Sequence, residues 1–183
     1  MIIENRCFKL QLPAGQIVDV LSGIPETISK YVQSAENAPE SCGYILGYKD
    51  RFTENITLTC ITEPHSNDYR SRMFCTLKDD NHYINLNAHR RQKNYFMGTW
   101  HTHPQATPTP SSIDFDEWIK TLRYDITGYE YAFFLILGLS QFQIWAGDYR
   151  TYEVFGLSEC CRKNGLYKAS KGGKNEVKMV THI

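Results

Sequence analysis

Residues 100 to 114 read WHTHPQATPTPSSID, and four of their side chains could do chemistry together. YFMGTWH (95–101) has the make-up of a strand, and alternation along it sends His101 and His103 to one side. Two imidazoles on one face near a strand end can bind one metal ion if a third ligand comes round. Asp114 can supply it, because the proline-rich loop 104–110 returns the chain into the first turn of the next helix. Two nitrogens and one carboxylate leave the fourth tetrahedral position open for water, the layout of a catalytic zinc and not of a structural one. Zinc brings the pKa of such a water near ~7, so a nucleophile exists at neutral pH. The attacking water also needs a base. Glu40, in PESCGYILG, stands just before a buried strand, where depleted solvation raises a carboxyl pKa.

Each piece has a plainer reading. Ser111-x-x-Asp114 is close to a capping box, His-x-His at a strand edge can simply be solvated, and Glu40 alone would pass for an exposed linker acid. Their conjunction at this spacing favours the site. The two readings of Ser111 are compatible, since a serine can cap a helix and still turn its hydroxyl inward.

These residues need a sheet and a helix to hold them. Alternation over 6–21 predicts two short strands around Pro13-Ala14-Gly15. A helical stripe follows at Ile24, Ile28, Tyr31, Val32 and Ala35, with Pro25 suited to a first turn and ENAPES as the stop. CGYILGY (42–48) and NITLTCIT (55–62) are β-rich. The polar stretch 64–94 reads as an insertion between core strands, its second half a helix with a thin apolar face. A helix from Ser111 or Ser112 is expected to bury Ile113, Phe115, Trp118, Ile119 and Leu122. Strands over 131–139, 141–147 and 150–156 complete the sheet. The chain then turns basic and glycine-rich, so 158–183 is expected to be a tail, mobile at its end.

A chain of 183 residues can bury a core as one domain, and its 42% hydrophobic and 22% charged composition is that of a soluble globular protein. Twenty basic and twenty acidic side chains cancel, which argues against nucleic acid or a membrane surface as partner. MIIENRCFKLQLPAGQ has no signal-peptide pattern, and the longest apolar run, YAFFLILGL (131–139), is about half a membrane span. The expected location is the cytoplasm. There the six cysteines, with no CxxC pair, should be reduced thiols acting mostly as small hydrophobes, Cys160 and Cys161 included. Cys42 shares a strand face with Glu40 and could touch the site, although a core role is the expectation. His65, His82 and His89 are expected to face solvent or a partner.

Glu40, Gly43 and Gly47, then His101-Thr102-His103-Pro104 and Ser111-x-x-Asp114, resemble the JAMM (MPN+) metallopeptidase signature, matching at every position over roughly 24–156. ITEPHSNDYRSRMF and MGTWHTHPQATPTPSSIDFDEW resemble a bacterial branch of that family found in mobile elements and CBASS antiphage operons. The narrower likeness rests on Asp68, Arg70, Ser71, Arg72 and Trp118. It implies a single α+β JAMM/MPN domain over 1–157, a mixed central sheet flanked by helices. It implies one Zn²⁺ per chain on His101, His103 and Asp114, Glu40 as general base, and Ser111 stabilising the oxyanion. The reaction would be hydrolysis of an amide or isopeptide bond after a flexible C-terminal tail, laid as an added strand along a sheet edge. The implied partner is a cGAS/DncV-like nucleotidyltransferase ligated to other proteins. Arg70, Arg72, Phe74 and Tyr83 in the insertion are the candidates for gripping that tail.

Three alternatives remain. RadC-type proteins share the His-x-His-Pro loop with PTPS, but carry a helical DNA-binding module for which residues 1–39 are too short and too neutral. A JAMM peptidase processing a ubiquitin-like or sulfur-carrier protein differs from the first reading only in its substrate. A metal-free MPN scaffold would have lost ligands, whereas all five positions are intact here.

Overall fold

The structure is a computed structural model that describes residues 8–124, 129–163 and 166–169, with residues 160–163 and 166–169 described by their backbone. Strands β1 (Phe8–Gln11) and β2 (Ile17–Val20) form the expected hairpin. Helix α1 (Gly23–Ile28) runs into a 3-10 turn, Ser29–Tyr31. The expected continuation to Ala35 is corrected: Val32 leaves the helix with ψ at 125°. Its successor Gln33 is buried, and its amide bonds to three other segments hold the chain out of helical geometry.

Strands β3 (Cys42–Lys49) and β4 (Ile56–Ile61) come next, then the insertion. It contains a two-stranded ribbon, β5 (Tyr69–Arg70) with β6 (Cys75–Thr76), and helix α2 (Asn81–Arg91). Strand β7 (Tyr95–Thr102), helix α3 (Ser112–Tyr124) and strands β8 (Tyr131–Leu137), β9 (Phe142–Asp148) and β10 (Val154–Gly156) follow. The last two described elements are β11 (Cys160–Lys163) and β12 (Leu166–Ala169). They pair antiparallel, and just before them Glu159 bridges to Leu10 of β1. Of the expected tail, 164–165 and 170–183 lie outside the described residues.

Eight strands form one mixed sheet in the order β1-β2-β4-β3-β7-β8-β9-β10. The β2–β4 and β7–β8 pairs are parallel and the others antiparallel. A parallel pair needs a crossover, and α3 supplies it between β7 and β8. The result is the expected α+β arrangement. Every residue of β8 is buried. Phe133, Leu135 and Leu137 join one apolar cluster with Trp100 and Ile28, while Ala132, Phe134 and Ile136 join another with Trp118 and Leu122 of α3. Ile113 corrects the expected α3 stripe, being 56% exposed, because the packing face runs through Phe115, Trp118, Ile119 and Leu122.

Two irregularities sit in the middle of the sheet: Thr59 is an extra residue in β4, between the pairs Leu46–Cys60 and Gly47–Leu58, and the other is in β7. Ile45 pairs with Gly98 but Leu46 with Phe96, so Met97 is an extra residue in β7. Gly98 has φ of +146° and backs onto the Phe133 backbone with no room for a Cβ. No described helix is long and apolar enough to cross a membrane.

Candidate active site

β7 lies between β3 and β8, which fixes the direction of its side chains. Trp100 and Thr102 go into the packed interior, while His101 and His103 are only partly buried. The N–H of His103 donates to the Leu137 carbonyl at 2.8 Å, extending the β7 ladder through the second histidine. The loop behind it is pinned by Leu139 N–H to the Gln105 carbonyl at 2.7 Å and by Thr109 N–H to Gln105 Oε1 at 2.9 Å. It delivers Ser111 and Asp114 back to the histidines. Ser111 is the cap: its N–H and hydroxyl donate to Asp114 Oδ2 at 2.6 and 2.7 Å, and Asp114 N–H returns a bond to Ser111 Oγ at 3.2 Å.

The two Nε2 atoms of His101 and His103 are 3.1 Å apart. Asp114 Oδ1 is 3.1 Å from His101 Nε2, and its Oδ2 is 3.4 Å from His103 Nε2. Bonds of ~2.0–2.1 Å at tetrahedral angles place ligand atoms ~3.3 Å from one another. These three donors already have that spacing, so they fit a zinc ion. Glu40 Oε1 lies 3.6 Å from His103 Nε2, and Glu40, His101 and His103 offer ligand atoms all within 4.8 Å of each other.

Electrostatics separates the two carboxyls. Burial leaves Glu40 5% exposed and is the main reason its pKa rises to about 7; the nearby Asp114 charge adds to this and His101 opposes it. Burial would raise Asp114 too, but the hydrogen bond and charge of His101, with the two donors of Ser111, prevail and hold it at about 2. Burial and then the charge of His101 push His103 down, favouring the neutral ring that a metal requires. Asp114 is thus held as a carboxylate, and Glu40 is the group able to exchange a proton near neutrality.

Glu40 is held by its backbone. Its N–H donates to the Ser71 carbonyl at 2.7 Å, and its carbonyl accepts from Arg70 Nε at 2.8 Å. Arg70 Nη2 also donates to Ser41 Oγ. Ser41 N–H donates to Thr102 Oγ1 at 3.0 Å, and the Thr102 hydroxyl donates to Gln33 Oε1 at 3.1 Å. Gln33 Nε2 reaches the carbonyls of Ala38 and Arg72 at 3.2 and 3.1 Å. Gln33, Ser41 and Thr102 were not among the sequence candidates. Thr102, between two candidate ligands on a strand, was the one with a signal: alternation sends it to the opposite face.

The expectation of reduced thiols fails for two cysteines. Cys42 and Cys75 form a disulfide across 6.0 Å between Cα atoms, tying β3 to the ribbon. Cys60 is free, Cys7 lies outside the described residues, and the side chains of Cys160 and Cys161 are not described. His82 is also corrected. It is 1% exposed, with Nε2 2.8 Å from Asp68 Oδ2 and Nδ1 3.3 Å from Thr62 Oγ1. The Asp68 carboxylate collects the N–H groups of His65, Lys78 and Asp79 as well, so this pair is the polar centre of the insertion. His65 packs on the His82 ring and His89 lies against Cys60; both are half-buried.

Of the candidates for gripping a tail, Phe74 and Tyr83 are exposed, 41% and 64%. Arg72 Nη1 donates to the Ala35 carbonyl at 3.2 Å, and Arg70 is turned toward Glu40.

A family described as prokaryotic homologs of the JAB domain matches residues 26–147. A protein of Escherichia coli (strain TW11681) described as a CD-NTase/cGAS isopeptidase is 32% identical over 133 residues, 71% of this chain and 80% of that protein. Its namesake from Vibrio cholerae serotype O1 is 30% identical over 134 residues, 72% and 81% of the two chains. A solution structure from Desulfitobacterium hafniense has 16% identity and a TM-score of 0.47, covering 74% of this chain and 83% of the other.

Proposed function

This chain belongs to the prokaryotic JAB-domain family, and from that membership we propose that it is a zinc-dependent isopeptidase. It hydrolyses the amide bond after the C-terminus of a conjugated protein, removing a cGAS/DncV-like nucleotidyltransferase from its targets in antiphage defence. Two relatives described as CD-NTase/cGAS isopeptidases, aligned over most of their length, support that substrate class. The observation that carries the chemistry is the pairing of a proton-exchanging Glu40 with an anionic Asp114 around two imidazole nitrogens 3.1 Å apart.

His101, His103 and Asp114 hold the ion. Zinc bound there supplies Lewis acidity, acidifying water and polarising the scissile carbonyl. Glu40 takes the proton of the attacking water on its carboxylate and passes it to the leaving lysine amine. A pKa of about 7 suits both transfers. The Ser111 hydroxyl can turn from Asp114 Oδ2 toward the oxyanion, because the Ser111 N–H keeps its own bond to that oxygen at 2.6 Å. Arg72, Phe74 and Tyr83 grip the last residues of the partner protein and hold them extended.

The test is cleavage of a conjugate joined after the C-terminus of such a nucleotidyltransferase. Release of the free protein, abolished by chelation and by Glu40→Ala, is the expected result. Undiminished cleavage after chelation would overturn the metalloenzyme reading. Cleavage confined to a ubiquitin-like or sulfur-carrier conjugate would overturn the substrate assignment.

A further inference from the structure

The insertion does more than offer a surface, because its ribbon is fastened to the residue proposed as the base. Both backbone polar groups of Glu40 bond to neighbours on one segment: its N–H to the Ser71 carbonyl at 2.7 Å, its carbonyl to Arg70 Nε at 2.8 Å. Arg70 adds a second donor to Ser41, so its guanidinium spans two successive residues. Directly across the ribbon, Arg70 pairs with Cys75, whose disulfide runs to Cys42, two residues after Glu40. The ribbon is therefore closed on the base-bearing segment at four points, one covalent and three through hydrogen bonds.

A two-stranded ribbon of four residues has no independent stability. Something must keep it in place, and the disulfide together with the Gln33 bond to the Arg72 carbonyl at 3.1 Å does so. Glu40, for its part, lies outside β3 and has no ladder partner there. Without the ribbon neither bond to the Glu40 backbone would remain.

We propose that Arg70 is a positioning residue: it sets the backbone of Glu40, and hence where its carboxylate stands beside the histidines, with the Cys42–Cys75 bond as its anchor. This rests on Glu40 being the base of the proposed reaction. It assigns Arg70 to the chemistry step and not to substrate grip. A guanidinium is required because its planar fork serves two acceptors at once, which a lysine ammonium on a flexible stem does not reproduce. A base displaced by about 1 Å costs up to ~10²-fold in rate without changing how tightly substrate binds.

The experiment compares wild type with Arg70→Met, Arg70→Lys and the Cys42→Ser/Cys75→Ser pair, all zinc-loaded, on a short tail peptide and on the full conjugate. Amide hydrogen exchange of Glu40 and Ser41 is measured alongside. Expected for Arg70→Met is a ~10- to 100-fold fall in kcat on both substrates, KM within about twofold, unchanged zinc content and faster exchange at the two amides. Arg70→Lys should fall between wild type and Arg70→Met, and the cysteine pair should show the same pattern as Arg70→Met. If Arg70→Met does not fold, Arg70→Lys, which keeps the stem and charge, carries the comparison. A rise in KM confined to the full conjugate, with kcat and exchange unchanged, would overturn the proposal and return Arg70 to substrate grip. Unchanged kinetics and exchange would overturn it outright. Should wild type cleave neither substrate, the isopeptidase reading fails by itself, and exchange alone still decides whether Arg70 sets Glu40.

Discussion

The backbone N–H of Ser41 donates to the hydroxyl of Thr102 at 3.0 Å, joining the residue after Glu40 to the residue between the two histidines. The proposed base and the histidines come from different segments of the chain, and this bond, with the pairing of β3 and β7, helps set their separation. Thr102→Val keeps the shape but strands a buried donor. It is expected to cost about 1–3 kcal/mol of stability and to lower kcat while zinc stays bound. Denaturant titration and metal analysis check the two halves.

Removing a ligand should remove the metal. Wild-type protein is expected to purify with about one zinc per chain, and His101→Ala or Asp114→Ala to lose it. Atomic absorption on dialysed protein measures this without reference to any substrate.

Glu40→Gln should keep the zinc and lose roughly 10²–10⁴-fold in rate. The metal-free protein offers an independent check. The Glu40 pKa is raised from 4.5 to about 7 by folding, so the folded state binds the extra proton. That stabilisation is complete below about pH 4.5 and lost as the pH rises through about 7. Asp114, held at about 2, acts in the opposite sense, but only at pH below its ordinary value of 3.8. The urea midpoint of metal-free wild type should therefore drop between pH 5 and pH 8 by more than that of Glu40→Gln.

Ser111→Ala removes one of the two donors on Asp114 Oδ2 and the proposed oxyanion contact together. Zinc should stay, since the Ser111 N–H remains, and turnover should fall by roughly 10²–10³-fold. A loss of metal instead would mean that the hydroxyl serves Asp114 alone.

Charge reversal at Arg72 tests the grip. Arg72→Glu is expected to raise KM on a full conjugate, leaving kcat and zinc content as in wild type. Parallel assays on conjugate and tail peptide separate this from the effect expected at Arg70.

The candidate ligands could be read from spacing because a strand, a short loop and a helix start are local, and local geometry follows from alternation and capping. The strands around them were legible for the same reason, and β8 from its apolar run alone. What escaped depends on contacts distant along the chain. Val32 continues an apolar helical stripe, yet Gln33 is claimed by Thr102, a residue on another element. Cys42 and Cys75 meet only because the ribbon folds back on β3, which no spacing rule reveals. His82 looks like a solvated helix residue until Asp68, from the loop before it, is brought underneath.

The extra residue in β7 acts as a phase shifter. Met97 and Trp100 are three apart, an odd interval, yet share one core cluster. An unbroken strand would send them to opposite faces. With the Tyr95–Phe96 end held in register, a strand that kept all its residues but lost the bulge would slip by one place from Met97 onward. Trp100 would then swing out of the core and the two histidines into it. Such a chain would keep every residue of the signature and yet be blind to metal, so an intact motif certifies a working site only together with the bulge that aims it.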